Sequence, residues 1–192
     1  EDPVRLSDSV GEPGTPAVVV DAEGRVHVLW SEAASVHDAT LVLWYARLDQ
    51  GRWSRPAAVL RSPEGGARDA SMALMGDYLH ALWSGGPSGQ LWYSRAFVRD
   101  AYAVGGWTEP VPLGDADAIT VHEVASSPHM VAAGGSLHVV YAVPVNAGRG
   151  IYYGVSHAGG DTGGAPSQVF DADAAGWDAV DTPRLAVGRT GE

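Results

Sequence analysis

The chain has 192 residues, 45% of them hydrophobic, which is enough for a sizeable core in one domain or a repeat array. Its formal net charge is −11 and all twelve basic residues are arginine, which excludes a nucleic-acid backbone or an anionic membrane surface as partner. Cysteine is absent, so disulfides, thiolate metal sites and cysteine nucleophiles are excluded, and no apolar run reaches the roughly 18 residues of a membrane span.

Twenty-five glycines and twelve prolines, with no sustained 3.6-residue apolar period, predict many short strands joined by turns. In chain order, "DPVRLS" (residues 2–7) reads as a lone outer strand. The next segment, 16–60, reads as four strands, a to d. Strand a is "PAVVVD" from Pro16, and a glycine turn leads to strand b in "EGRVHVLWS", 23–31. The variable loop "SEAASVHDAT" follows, then strand c in "LVLWYARL" and strand d in "WSRPAAVL" from Trp53.

The pattern then returns. Residues 70–113 hold "ASMALM", "GDYLHALWS", "QLWYSRAF" and "WTEPVPL", with an insertion "FVRDAYAVGG" (97–106) read as a partner contact. Residues 128–170 hold "PHMVAA", "GGSLHVVYA", "GIYYGVSH" and a weak final copy, "APSQVF". Residues 183–192 match strand a again. Three markers keep their order: His27, His80 and His138, then Tyr45, Tyr93 and Tyr153, then Trp-x-x-Pro in the first two copies. Four antiparallel strands per repeat make a propeller blade, so the predicted fold is an all-β propeller with about three blades plus flanking single strands. Three blades and a fraction do not close a ring. The expected partners are the remaining blades, from the same longer polypeptide or another copy.

"VDAEGRVHVLWSE" followed by "LWYARLDQGRWSRPAAVL" resembles the BNR/Asp-box repeats of sialidase-like β-propellers. The turn "RLDQGRW", 47–53, is similar to Ser-x-Asp-x-Gly-x-Thr-Trp. It keeps Asp49 and Gly51, has Arg47 at the serine position, and brings Trp53 one place early. Sialidases of that family carry an Arg-Ile-Pro motif, an arginine triad, an Asp acid/base and a Tyr/Glu pair. "PVRLSD" and "TPRLAV" contain arginine without that motif, so the resemblance carries no catalytic residue onto this sequence.

A ligand at a propeller axis is asymmetric, so residues repeated in every blade are read as architecture. His27, His80 and His138 therefore read as hydrogen-bonded strand residues, and Trp30, Trp83 and Tyr141 as packing between blades. Candidate ligand-binding residues are those unique to one blade, on the rim that bears the d–a and b–c connections. They are Glu32, His37 and Asp38, then Arg68 and Asp69, then His122 and Glu123, then Trp177 and Arg184.

Three chemistries compete with a merely solvated acidic rim. Carboxylates beside an exposed Trp177 suit a sugar, with the indole stacked on its apolar face. A carboxylate pair such as Asp69 and Glu123 suits glycoside hydrolysis. Asp115 and Asp117, or Asp171 and Asp173, suit a weak Ca²⁺ site, although neither "DADA" follows the Asp-x-Asp-x-Asp-Gly loop; no cofactor is expected. The leading expectation is a non-catalytic module, glycan-binding or a protein-interaction scaffold, and secreted or at the cell surface, the start at Glu1-Asp2-Pro3 reading as a mature one. The alternative is part of a sialidase-type glycoside hydrolase whose catalytic set lies partly outside this chain.

Overall fold

The computed structural model describes residues 3–7, 13–87, 89–113, 125–145, 147–157, 162–163 and 165–188. Among them there are strands and turns but no helix. The first sheet comprises β1 (Ala17–Val20), β2 (Val26–Ser35), β3 (Asp38–Asp49), β4 (Arg52–Trp53) and β5 (Ala57–Leu60). The second comprises β6 (Ala67–Met75), β7 (Tyr78–Gly85), β8 (Gln90–Phe97) and β9 (Val111–Pro112). The third comprises β10 (Ser126–Ala133), β11 (Ser136–Val143), β12 (Gly150–His157), β13 (Thr162–Gly163) and β14 (Ser167–Asp171). Each is an antiparallel meander in chain order, one propeller blade per sheet.

The outermost strand of each blade is split in two, and proline is the reason. In the first blade Trp53 pairs with Leu48, the chain breaks at Arg55-Pro56, and pairing resumes at Ala57 opposite Tyr45. In the second, Trp107 bridges Ala96, Pro110 follows, and Val111 resumes opposite Tyr93. In the third, Gly163 pairs with Ser156, Pro166 follows, and Ser167 resumes opposite Tyr153. A residue without an N–H is tolerated here because the strand is paired on one side only. The turn from β3 to β4 spans only Gln50 and Gly51, both at positive φ (49° and 75°), the mirror-image turn that a two-residue hairpin needs.

Period-2 alternation decides what lies between blades. Leu29, Leu43 and Tyr45 of the first sheet meet Leu79, Ala81 and Trp83 of the second in one core. Leu82 and Tyr93 of the second meet Met130, Val139 and Tyr141 of the third in another. Trp83 is fully buried, and Tyr141 nearly so, as inter-blade packing requires. Trp30, at the equivalent place in the first sheet, is buried against Leu6 instead.

One segment differs from the sequence reading. "SEAASVHDAT" is not a loop: β2 runs to Ser35, β3 starts at Asp38, and only Val36 and His37 connect them. Residues 31–41 contain no glycine or proline, so nothing stops the ladder until the turn. Residues 183–188 form no strand ladder, and neither do residues 3–7. A lone inner or outer strand pairs with its own blade's next strand, and no described segment offers one to either.

Candidate functional site at the propeller axis

The repeated histidines form one repeated device. His27 opposes Arg47 across the β2–β3 ladder, which sets Tyr45 on the diagonal of the same face. Its Nδ1 lies 2.6 Å from the Tyr45 hydroxyl, His80 Nδ1 lies 2.6 Å from that of Tyr93, and His138 Nδ1 lies 2.7 Å from that of Tyr153. In the first blade the chemistry fixes the tautomer. His27 Nε2 is 3.0 Å from Asp21 Oδ2, and a carboxylate only accepts, so Nε2 carries the proton. Nδ1 is then bare and accepts from Tyr45.

Burial pushes His27 below its ordinary value despite the Asp21 carboxylate, and burial pushes Tyr45 up to about 12. Burial works against the Asp21 anion too, but hydrogen bonds from His27 and Arg25 outweigh it and hold that carboxyl at about 2. Asp21 also accepts from the Glu23 and Arg25 amides, closing the β1–β2 turn. In the first blade this neutral imidazole, bonded at both nitrogens, fastens the strand under its turn; the other two blades repeat the His–Tyr bond.

The asymmetric chemistry lies where the inner strands begin. Val19, Ala73 and Val131 stand opposite the three histidines, so Ala17, Ser71 and His129 occupy one equivalent position, two residues earlier. The matching prolines at 128 and 183 put Arg184 at the same place in the last segment. All four line a cavity of about 240 Å³, together with Thr15, Asp69, Ser127 and Thr182. Here the second and third blades carry β-bulges, between Arg68 and Ser71 and between Ser126 and His129. Asp69, Ser127 and Thr182 all adopt left-handed φ (51°, 49° and 49°), a costly conformation for residues with a Cβ.

Hydrogen bonds knit this mouth together. Asp69 Oδ2 accepts from Ser84 Oγ at 3.2 Å and from the Ser127 amide at 3.4 Å. Ser127 Oγ donates to Asp181 Oδ1 at 2.6 Å, and the Thr182 amide donates to the same oxygen at 2.7 Å. The Leu185 amide donates to His129 Nδ1 at 3.1 Å, and the Met130 amide to Ser71 Oγ at 2.9 Å. Burial, and then the nearby Arg184 guanidinium, push His129 below its ordinary value.

Of the residues singled out by sequence, Asp69 and Arg184 meet in this cavity. Arg68 precedes Asp69 in the bulge without lining it, its carbonyl accepting from Ser84 Oγ. Glu32 is buried on the outer face of the first sheet, accepting from Ser7 Oγ at 2.8 Å and Trp30 Nε1 at 2.5 Å. It lines a larger groove of about 470 Å³ with Trp44 and Arg55. That face is the equivalent of those covered by a neighbouring blade at Trp83 and Tyr141.

His37 is exposed and Asp38 half-buried at the β2–β3 turn, where Asp38 accepts from the Thr40 amide and lies 3.7 Å from Arg61. Trp177 is exposed but stands edge-on to Phe170 with centroids 4.9 Å apart, away from the cavity lining. Asp171 caps the turn at Ala174, and Asp173 pairs with Arg149 at 2.5 Å. Among the described residues no three acidic or histidine side chains converge as a metal site. His122, Glu123, Asp115 and Asp117 lie outside the described residues. The sequence reading missed Ser127, His129 and Thr182. Their signal was an x-Pro recurring at the equivalent place in three of the four copies, Thr15-Pro16, Ser127-Pro128 and Thr182-Pro183, with Asp69-Ala70 in the other.

Solved structures place this architecture among known folds. The chain superposes on a thermostable family-43 glycoside hydrolase with TM-score 0.59 at 12% identity, over 92% of this chain and 62% of that one. It superposes on an α-L-arabinofuranosidase from Podospora anserina with TM-score 0.59 at 15% identity, over 88% and 54%. It superposes on a Trypanosoma rangeli sialidase with TM-score 0.60 at 15% identity, over 92% and 33%. The fold is a β-propeller. No protein-family model matches the chain, and no curated protein matches it. At these identities the likeness is one of fold, and this propeller spans less than two thirds of each of those three chains.

Proposed function

We propose that the chain is the blade set of a glycan-recognising propeller whose ligand enters the axial mouth. The observation that carries this reading is the contrast between two sets of equivalent positions. Facing the next blade, every copy keeps His and Tyr; facing the mouth, the copies carry Ala17, Ser71, His129 and Arg184. A polar cavity with acceptors at Asp69 and donors at Arg184 and Ser71 suits the alternating hydroxyls of a sugar. Asp69 already accepts two hydrogen bonds within the protein, which suits an anchoring acceptor better than a proton donor. We read the module as extracellular and non-catalytic in itself, completed by further blades, with the 47–53 turn as a degenerate Asp-box.

Three ligands test it: arabino-oligosaccharide, cellotriose and the sialidase inhibitor DANA, the last two seen in the matched arabinofuranosidase and sialidase structures. Calorimetry on the intact protein should find saturable binding to one of them, weakened about tenfold or more by Asp69→Ala and by Arg184→Ala. Aryl-glycoside release should stay at background. Turnover that Asp69→Asn abolishes would establish the glycosidase reading instead. Neither binding nor turnover would leave a scaffold.

A further inference from the structure

The segment that brings Arg184 to the mouth is held by little. Among the described residues, the one hydrogen bond tying residues 182–188 to the blades is that from the Leu185 amide to His129 Nδ1. An imidazole nitrogen accepts only when it is bare, so this bond exists only while the ring is neutral and its proton sits on Nε2. We infer that His129 is a positioning residue whose neutral ring clamps the Leu185 backbone and so sets Arg184 in the axial mouth, and whose protonation releases it.

The surroundings favour such sensitivity. From the last segment, Arg184 faces His129 and opposes a second positive charge. From β6, Asp69 lines the same cavity, already engaged by Ser84 and Ser127. From the connection before the segment, Asp181 is spent on Ser127 and Thr182. The β1 side contributes only Thr15, Pro16, Ala17 and Val18, none charged. The equivalent positions in the other blades, Ala17 and Ser71, do not titrate in this range, so the device belongs to one blade.

The sign follows from linkage. The clamped state holds His129 below its ordinary value, so the released state takes up the proton first, and release is favoured as pH falls through about 6.5 and below. The effect on ligand affinity rests on the axial-mouth reading; the clamp itself does not.

The test is nitrogen-15 NMR of the histidine rings with amide exchange at Leu185, on the intact protein from pH 8 to pH 5. At pH 8 His129 should show a protonated Nε2 and a bare Nδ1. The Leu185 protection factor should fall about two- to tenfold as the ring titrates, the loss of one hydrogen bond. His129→Asn supplies a side-chain oxygen that accepts without titrating, and should keep Leu185 protected at both ends of the range. His129→Ala should leave it weakly protected at both. Leu185 protection that ignores the titration of His129 overturns the clamp, as does a proton found on Nδ1 at pH 8. If either variant fails to fold, the wild-type titration alone decides. A clamp that titrates while no sugar binds would refute the ligand reading and leave the clamp standing.

Discussion

Removing the tyrosine hydroxyl from each His–Tyr pair should cost stability in proportion to how well water replaces it. His27 and Tyr45 are 0% and 1% exposed, and His80 and Tyr93 are 1% and 5% exposed, whereas His138 and Tyr153 are half-buried. In Tyr45→Phe the Nδ1 of His27 keeps its proton pattern, because Asp21 still holds Nε2–H, and is left as a buried acceptor with no donor. Such a loss costs about 1–3 kcal/mol. At Tyr153 water reaches the site, and the cost should fall to about 0.5 kcal/mol. For a chain of this length each kcal/mol moves the melting temperature by about 2–4 °C. Urea unfolding at pH 7.5 on the three single variants gives the comparison. Equal losses at all three sites, or a loss at Tyr153→Phe as large as at Tyr45→Phe, would refute burial as the source of the latch's strength.

Other outcomes follow from the same structure. The Asp21 carboxyl is held at about 2 against an ordinary 3.8, so its contribution is present above about pH 4 and is lost as pH falls towards 2. That loss should amount to about 1–2 kcal/mol, and Asp21→Asn should flatten that part of the stability profile while lowering stability at neutral pH. Trp83→Ala opens a cavity between the first two blades and should cost about 3–5 kcal/mol in urea unfolding. Gly51→Ala places a Cβ at φ 75° in the β3–β4 turn; it should cost about 1 kcal/mol and leave ligand binding unchanged.

The blades were legible because strands announce themselves by alternation. A histidine between apolar neighbours, returning after a glycine turn, marks the same strand each time, and its tyrosine lies a diagonal away. Asp69 and Arg184 were both named from the sequence as rim candidates, and in the structure both line one cavity. His129 was hidden inside "PHMVAA", read only as strand a; its register two residues before Val131 sets it in line with Ala17 and Ser71 at the mouth. The β2–β3 connection was misread because serine, glutamate and alanine look like a loop, while strand or loop here turned on the absence of glycine and proline. Trp177, named as a sugar platform, is exposed and stands edge-on to Phe170, seven residues earlier.

If the fold repeats while the chemistry sits only at the axis, a bound ligand must lie there. A crystal structure of the intact protein with a sugar bound from the calorimetric panel tests it most directly. The ligand should lie between the starts of β1, β6 and β10, within hydrogen-bond distance of Asp69 and Arg184, and once per propeller. A ligand bound at the His–Tyr pairs, or repeated once per blade, would contradict it.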